Sequence, residues 1–394
     1  MRVLLTACAA TALVVAGPLT ASAEGSPAKG PVGGARLTRQ PTVVADGAAP
    51  PAVRAPAWVV ADADTGEVLA AKAPHARLRP ASTLKTLTAL VLLPRLDKTD
   101  QVIGTDSDAG IVGSKVGVYP GLRYTVDLLF QGMFLASGND AVHALASHDE
   151  GGVDATIRRM NAKAVELGAL DTHVTDPTGL DADGQFSSAY DLALFARAGL
   201  GRADFREYAS TKYTNFPLAK SGTYQVANQN KLLFTYDGAL GVKTGYTTLA
   251  HNTFIGAARR DGHTLVVTLM NSPHGITQDA SALLDWGFVH HDQLRPVGTL
   301  VEPASQNPSR TSVGAGPTVA GNSARSTVPI RSKVALAPGQ AVQSVMLRLP
   351  TWTYAGPAFL LLSLVLRRPK ALRDRVRNHR AGARSSPRAR RARR

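Results

Sequence analysis

The chain has 394 residues, and its formal net charge is +15. Its one cysteine, Cys8, lies in an apolar N-terminal run, so the expected mature chain has neither a disulfide nor a thiol nucleophile. A basic chain first suggests nucleic-acid binding. However, residues 367–394 hold 13 Lys and Arg and one Asp, a net of +12 that leaves only +3 for the rest. We therefore expect no nucleic-acid partner.

The N-terminal segment predicts export. An apolar run over residues 3–16 is followed by the small-residue pattern Ala21-Ser22-Ala23. This order is typical of a secretory signal peptide, with cleavage after Ala23 and a signal segment of residues 1–23. Residues 24–56 are rich in Ala, Gly and Pro and show no periodicity, which predicts a disordered spacer.

Residues 57–292 alternate apolar periodic runs with turn residues, and their length suits one large domain. Two β-rich runs around Asp64-Thr65-Gly66 predict an opening hairpin. Residues 82–93 predict a helix with a serine at its start and Pro94 after its end. Residues 124–146 predict a mainly helical region with a break at Ser137-Gly138-Asn139, and a further helix follows over residues 155–167.

Strands return near the end of this domain. Residues 253–258 and 264–270 flank Asp261-Gly262, a strong hairpin signal. A closing helix is predicted over residues 278–288. Because strands lie at both ends of the domain and helices in its middle, we expect an α/β (α+β) fold. It would hold one antiparallel sheet flanked by helices, with a helical lobe beside it.

The C-terminal part predicts a stalk and an anchor. Residues 293–348 are rich in Pro, Ser, Gly and Thr, as in low-complexity stalks. Residues 349–366 lack charge, and about 18 apolar residues is the lower limit for crossing a bilayer core. The basic residues 367–394 would then form a cytoplasmic tail. We expect a single-pass cell-membrane protein whose domain of residues 57–292 is extracellular; an interfacial helix or a hydrophobic patch on a soluble protein is the alternative.

Three short motifs carry the candidate chemistry: S-x-x-K at residues 82–85, S-x-N at 137–139 and K-T-G at 243–245. Each motif alone is weak, since residues 26–29 and 305–307 repeat the first two inside the predicted spacer and stalk. Order and context distinguish the three. The first opens a helix, the second interrupts a helical region, and the third lies among predicted strands.

The residue types suit nucleophilic catalysis. Ser82 and Lys85 are three residues apart, so they share one helix face. A serine hydroxyl is a weak nucleophile and needs an adjacent base. Lys85 can act as that base only if burial and a nearby positive charge lower its pKa well below about 10.4, and Lys243 would supply the charge. Gly245 has no side chain, so a substrate peptide can lie against its strand as an added strand.

The ordered motifs resemble those of the penicillin-recognising serine enzymes. Their neighbouring residues are similar to the D-alanyl-D-alanine carboxypeptidase family. The similar segments are Arg79-Pro80-Ala81-Ser82-Thr83, residues 135–141, 176–180 and 228–233, and Gly241-Val242-Lys243-Thr244-Gly245-Tyr246-Thr247. The resemblance implies a β-lactamase/transpeptidase-like fold. It also implies removal of the terminal D-alanine from peptidoglycan stem peptides, with β-lactams as covalent inhibitors.

The resemblance further implies roles for the residues of the first two motifs. Ser82 would be the nucleophile that forms the acyl-enzyme, and Lys85 the general base. Ser137 would relay a proton towards the leaving amine. Asn139 would orient Lys85 and bind the substrate peptide.

For the third motif, the resemblance implies substrate binding. Lys243 and Thr244 would hold the terminal carboxylate, and Gly245 would admit the peptide. The backbone N–H groups of Ser82 and Tyr246 would form the oxyanion hole. The family often carries histidine at the position of Tyr246. Because the role there belongs to the backbone, this departure bears only on substrate preference.

Three alternative functions stay open. A class A β-lactamase needs a glutamate that activates the deacylating water, but its E-x-x-L-N pattern does not occur between residues 137 and 243, and Glu166 falls on a predicted helix. A DD-endopeptidase would use the same fold on cross-linked stems. A non-catalytic wall-binding membrane protein would retain the fold without the reaction.

We expect no cofactor and no metal. The chain has no H-E-x-x-H motif, and without cysteine its supply of metal ligands is small. His143 and His148 do not have metal-ligand spacing, and His290 and His291 are neighbours near the end of a predicted helix. The G-x-S-x-G motif of Ser-His-Asp hydrolases is also absent.

Overall fold

A seven-stranded sheet, with every neighbouring pair antiparallel, is the centre of the computed structural model, which describes residues 31–38 and 42–304. The strands are β1 Val43–Ala45, β2 Ala57–Asp62, β3 Glu67–Lys72, β8 Ala239–Thr247, β9 His251–Arg260, β10 His263–Ser272 and β11 Gly298–Thr299. Their order in the sheet is β1-β3-β2-β10-β9-β8, and β11 also pairs with β3. This sheet, built from both ends of the domain, confirms the predicted fold class.

Two short hairpins lie outside the main sheet. Strand β4, Gln101–Ile103, pairs with β5, Arg123–Thr125, and β6, Tyr213–Pro217, pairs with β7, Thr223–Ala227. The helices are α1 Lys85–Leu92, α2 Asp106–Gly110, α3 Val126–Leu135, α4 Asn139–His148, α5 Gly152–Glu166, α6 Ala189–Leu200, α7 Ala203–Ser210, α8 Leu232–Thr235 and α9 Ile276–His290. Most of them come from the middle of the domain, as the sequence predicts.

Helices cover both faces of the sheet. As a result, every residue of strand β2 is buried. Val59 and Ala61 belong to the larger hydrophobic cluster, which also contains α1 and α6. Trp58 and Val60 point the other way, into a second cluster with α9. Alternate side chains of a strand face opposite sides of the sheet. A strand between two helical layers is therefore apolar throughout.

The predicted hairpins are present. The Asp62 carboxylate closes the first turn by accepting hydrogen bonds from the backbone N–H groups of Asp64 and Thr65, at 2.8 and 2.9 Å. Strands β9 and β10 form the second hairpin across Asp261-Gly262, where both residues have a positive φ.

Two predicted boundaries of the domain are wrong. The predicted spacer of residues 24–56 contains β1, which pairs with β3 through Val43 and Lys72. The predicted stalk of residues 293–348 begins with β11, which pairs Gly298 with Val68. Such short edge strands are bound by backbone hydrogen bonds, which leave no periodicity in the sequence.

The described residues belong to a single compact unit. Within the part of the chain that the structure describes, no helix combines the length and apolar character that crossing a bilayer requires. The predicted signal peptide of residues 1–23, the segment of residues 349–366 and the basic tail lie outside the described residues.

Candidate active site

Ser82 lies in a 3₁₀ turn, Ala81–Leu84, that runs directly into α1. A serine at the start of a helix is usually its N-cap. Here the N-cap residue is Pro80, which makes no side-chain hydrogen bond, and Ser82 lies within the turn. Ala81 has a φ of 47°, a left-handed conformation that is costly for a residue with a Cβ. The hydroxyls of Thr83 and Thr253 both donate to the Pro80 carbonyl oxygen, at 2.6 and 2.8 Å, and hold this turn.

Lys85 is buried beneath Ser82 with three polar neighbours. Its Nζ lies 2.8 Å from Ser82 Oγ, 2.7 Å from Asn139 Oδ1 and 2.6 Å from the Thr178 carbonyl oxygen. A neutral amine has two N–H donors and one lone pair. The amide and carbonyl oxygens can accept the two N–H groups, and the lone pair is then left for the proton of the Ser82 hydroxyl.

The surroundings of Lys85 favour that neutral form. Burial lowers the pKa of Lys85 well below its usual range, and the positive charge of nearby Lys243 lowers it further. Lys243 is itself buried in β8, and burial lowers its pKa to about 7. Its Nζ donates to the Thr244 carbonyl oxygen at 2.9 Å. One lysine is thus suited to accept a proton, while the other can still carry a charge near neutral pH.

The S-x-N motif occupies the break between α3 and α4. Ser137 has a φ of 58°, and its buried Oγ has no hydrogen-bond partner within the described residues. Gln229 forms hydrogen bonds with the two residues that precede this serine. Its backbone N–H donates to the Leu135 carbonyl at 3.0 Å, and its Nε2 donates to the Ala136 carbonyl at 3.1 Å. A buried hydroxyl without a partner is costly unless a ligand uses it.

Asn139 and Asp140 form hydrogen bonds with the loop of residues 112–118. Asn139 Nδ2 donates to the Val112 carbonyl at 2.8 Å. The Asp140 carboxylate, fully buried, accepts from the backbone N–H groups of Val116, Gly117 and Val118, at 3.0, 2.7 and 2.9 Å. The amide of Asn139 is thereby oriented with its oxygen towards Lys85.

Sequence reasoning missed three supporting groups: the Thr178 carbonyl, the Asp140 carboxylate and the Thr253 hydroxyl. Residues 176–180 were singled out by resemblance, but nothing in them indicated that a backbone carbonyl would reach Lys85. Asp176 fixes that carbonyl, because its Oδ1 accepts from the backbone N–H groups of Thr178 and Leu180 at 2.8 and 3.3 Å.

Strand β8 forms an edge of the sheet and carries the K-T-G motif against the serine turn. A Cβ placed on Gly245 would lie 2.8 Å from the backbone nitrogen of Ser82 and 3.0 Å from that of Thr83. Real Cβ atoms essentially never come so close to backbone. Glycine is therefore required by packing at this point of the strand.

The structure brings all eight predicted site residues together around one cleft of about 920 Å³. Five of them line it: Ser82, Ser137, Thr244, Gly245 and Tyr246. The other three, Lys85, Asn139 and Lys243, are buried residues of the same motifs. The cleft extends past Gln229, Lys231 and Asn252 to α9, so it is long enough for an extended peptide.

Comparisons with known proteins agree with this arrangement. The profile of the D-alanyl-D-alanine carboxypeptidase family matches residues 44–274. The chain is 42% identical over 253 residues to D-alanyl-D-alanine carboxypeptidase DacB2 of Mycobacterium tuberculosis, covering 62% of this chain and 85% of that protein. It is 32% identical to D-alanyl-D-alanine carboxypeptidase DacF of Bacillus subtilis, covering 59% and 62%.

Solved structures are similar over the same part of the chain. The crystal structure of a D-alanyl-D-alanine carboxypeptidase from Mycobacterium tuberculosis is 40% identical, with a TM-score of 0.62 over 65% of this chain and 99% of that one. The Streptomyces K15 DD-transpeptidase is 29% identical, with a TM-score of 0.59 over 61% and 100%. The family match spans more than half of the chain, and the serine motifs meet in one cleft. The chain therefore belongs to the D-alanyl-D-alanine carboxypeptidase family of serine peptidases.

Proposed function

We propose that this serine carboxypeptidase removes the terminal D-alanine from peptidoglycan stem peptides through an acyl-enzyme on Ser82. The observation that carries the assignment is the position of Lys85 Nζ, 2.8 Å from Ser82 Oγ and held from behind by Asn139 and Thr178. This geometry lies within the range for a nucleophile and its base.

Acylation then follows from the contacts. Lys85 takes the hydroxyl proton of Ser82 as its Oγ attacks the carbonyl carbon between the two D-alanines. The backbone N–H groups of Ser82 and Tyr246 receive the developing oxyanion, a contribution of about 2.7–4 kcal/mol per donor. The Ser137 hydroxyl relays that proton from Lys85 to the leaving nitrogen, the C–N bond breaks, and free D-alanine departs. Water then attacks the ester carbonyl, the bond to Ser82 Oγ breaks, and a proton of the water restores the Ser82 hydroxyl as the shortened stem leaves.

Recognition of the terminal carboxylate falls to the K-T-G strand. Thr244 offers a hydroxyl at the wall of the cleft, and the buried Lys243 next to it supplies a positive charge. A peptide laid along the edge strand β8 can pair with its free backbone groups. Because Gly245 has no side chain, that peptide comes close enough for attack by Ser82. A requirement for a free carboxylate favours removal of a terminal residue.

The residues that line the cleft favour a peptidase over a β-lactamase, because a class A β-lactamase needs a glutamate to activate the deacylating water. Among the described residues, no glutamate lines the cleft, and its one carboxylate is that of Asp285. Glu166 lies at the end of α5, where it forms an ion pair with Lys163 at 2.7 Å. Without a glutamate to activate water, β-lactams would acylate Ser82 and remain as inhibitors. Rapid turnover of a chromogenic cephalosporin would contradict this.

Transpeptidation is the second candidate, because the chain is similar to a protein whose solved structure is titled a DD-transpeptidase. Water and an acceptor amine would compete for the same acyl-enzyme. Adding a glycine-terminated acceptor peptide and measuring the ratio of hydrolysed to transferred product separates the two. A DD-endopeptidase activity is tested by comparing the rates at which the enzyme cleaves cross-linked and uncross-linked stem peptides.

We also propose that the enzyme is exported and held in the cell membrane by residues 349–366, with its catalytic domain outside. The support is the order of an N-terminal apolar run, a small-residue cleavage pattern, an uncharged stretch and a basic tail. Truncation after residue 348 should release active enzyme from the membrane fraction. Retention of the truncated protein would contradict the anchor.

The function is tested by two measurements on purified protein. Release of D-alanine from a stem-peptide analogue should be lost in Ser82→Ala. Mass spectrometry of penicillin-labelled protein should place the adduct on Ser82. Absence of both release and labelling would leave the non-catalytic wall-binding role, which Ser82→Ala in growing cells distinguishes, because such a role would survive the substitution.

A further inference from the structure

Asp62, His263 and His291 lie together although they come from three separate segments. Asp62 is the last residue of β2, His263 is the first of β10, and His291 follows the end of α9. One possible ligand atom from each, all within 4.8 Å of one another, forms a group of metal-ligating type among the described residues. No spacing motif predicts it, because 201 residues separate the first two.

The Asp62 carboxylate is oriented for a ligand. Its side chain is 0% exposed, and Oδ1 is occupied by the backbone N–H groups of Asp64 and Thr65. Oδ2 is left facing the two imidazoles. It lies 2.9 Å from His291 Nε2 and 3.6 Å from His263 Nδ1.

The two imidazoles are also suitably placed. Their ring centroids are 3.9 Å apart, and their side chains remain 13% and 39% exposed, so an ion can reach them. His291 Nδ1 lies 3.0 Å from Asp292 Oδ1. A metal-bound histidine commonly donates its other N–H to a carboxylate, which fixes the tautomer and strengthens the ligand.

We propose that Asp62, His263 and His291 bind a zinc ion. Zinc takes N and O ligands at about 2.0–2.2 Å in a tetrahedron, which puts neighbouring ligand atoms about 3.4 Å apart. Asp62 Oδ2 lies 2.9 Å from His291 Nε2 and 3.6 Å from His263 Nδ1, and these two distances lie on either side of that value. Three protein ligands leave the fourth position to water.

The site lies away from the catalytic cleft. Lys243 pairs with Ile255, and Ile255 pairs with Thr268. His263 precedes Thr268 by five residues on the same strand, or about 17 Å at 3.4 Å per residue. The zinc ion would therefore take no part in the reaction at Ser82, and it would join the ends of β2 and α9 to the start of β10. This role does not depend on the proposed function.

The test uses the full chain, purified in detergent without a histidine tag and stripped of metal. After equilibrium dialysis with Zn²⁺, elemental analysis should find about one bound ion per chain. His263→Gln and His291→Gln should each lose it. The matched control is His274→Gln, which removes an exposed histidine outside the cluster and should retain the ion.

Thermal unfolding gives a second readout. Zn²⁺ in excess should raise the Tm of the wild type and the control by about 5 °C, and should leave both cluster variants unchanged. Each variant unfolding cooperatively without metal shows that loss of binding is not loss of fold. Wild type that binds no Zn²⁺, or cluster variants that bind it as well as the control, would overturn the proposal.

Discussion

The α-carbon of Gly245 faces the backbone nitrogen of Ser82 so closely that a Cβ there would lie 2.8 Å from it. That nitrogen is one of the two proposed oxyanion donors. A methyl group at this position would meet the Thr253 hydroxyl and also the backbone nitrogens of Ser82 and Thr83, which no side-chain rotation can move away. The glycine of the K-T-G motif therefore controls the geometry of the serine turn as well as access for substrate.

Gly245→Ala should lower kcat/KM for a stem-peptide analogue by about 10²–10³, the cost of losing one oxyanion donor. The matched control is Gly110→Ala, because a Cβ there would meet nothing within 4 Å. The control should stay within about twofold of wild type. Equal activity of the two variants would show that the close approach to Ser82 has no catalytic consequence.

Ser137→Ala should lower kcat strongly without loss of stability. The Ser137 hydroxyl is buried and has no partner within the described residues, so its removal breaks no hydrogen bond there. Loss of a positioned proton relay typically costs about 10²–10⁴ in rate. Steady-state kinetics and thermal unfolding measure the two effects separately.

The matched control for Ser137→Ala is Thr86→Val. It also removes a buried hydroxyl without a partner in the described part of the chain, but Thr86 does not line the cleft. We expect its kcat to remain within a few-fold of wild type. A similar loss of kcat in both variants would indicate a packing effect in place of a proton relay.

The local elements and the motif order were predictable from the sequence, because hairpin turns, helix periodicity and short motifs are local signals. The residues that complete the site were not. Thr178 meets Lys85 through a backbone carbonyl, and Thr253 braces Pro80 from a strand more than 170 residues away. Strands β1 and β11 were missed for a related reason, since only backbone pairing with β3 defines them.

The pH dependence of kcat/KM should be bell-shaped, because the two lysines need opposite charge states. Lys85 must lose its proton to act as base, so activity falls as acid protonates it. Lys243 must keep its proton to hold the carboxylate, and burial lowers its pKa to about 7. Activity should therefore decline as the pH rises above about 7 in the free enzyme.

Lys243→Arg tests the basic side of this profile. Arginine stays protonated throughout the accessible range. We expect a lower maximum, since the larger guanidinium must fit a buried site, and a basic limb displaced to higher pH. A basic limb that coincides with that of wild type would assign the decline to a group other than Lys243.

Asp191 should make the stability of the fold depend on pH. It lies in the first turn of α6, where its Oδ2 accepts from the Asp171 N–H and the Thr172 hydroxyl at 2.8 and 2.7 Å. Its Oδ1 is buried and has no partner in the described part of the chain. Burial raises the pKa of Asp191 from 3.8 to about 7, and the charge of Asp171 adds to this. The folded state therefore holds the proton more tightly than the unfolded chain does.

The stability contributed by protonated Asp191 is complete below about pH 4 and is lost as the pH rises to about 7. Asp191→Asn keeps one oxygen for both hydrogen bonds and puts an uncharged amide in place of Oδ1. Its Tm relative to wild type should rise between pH 5 and pH 8, and about 1.4 kcal/mol per pKa unit makes the change measurable. Asp154→Asn, an exposed carboxylate in the first turn of α5, should follow the wild-type slope. Parallel curves for Asp191→Asn and wild type would show that Asp191 is ionised in the fold at all these pH values.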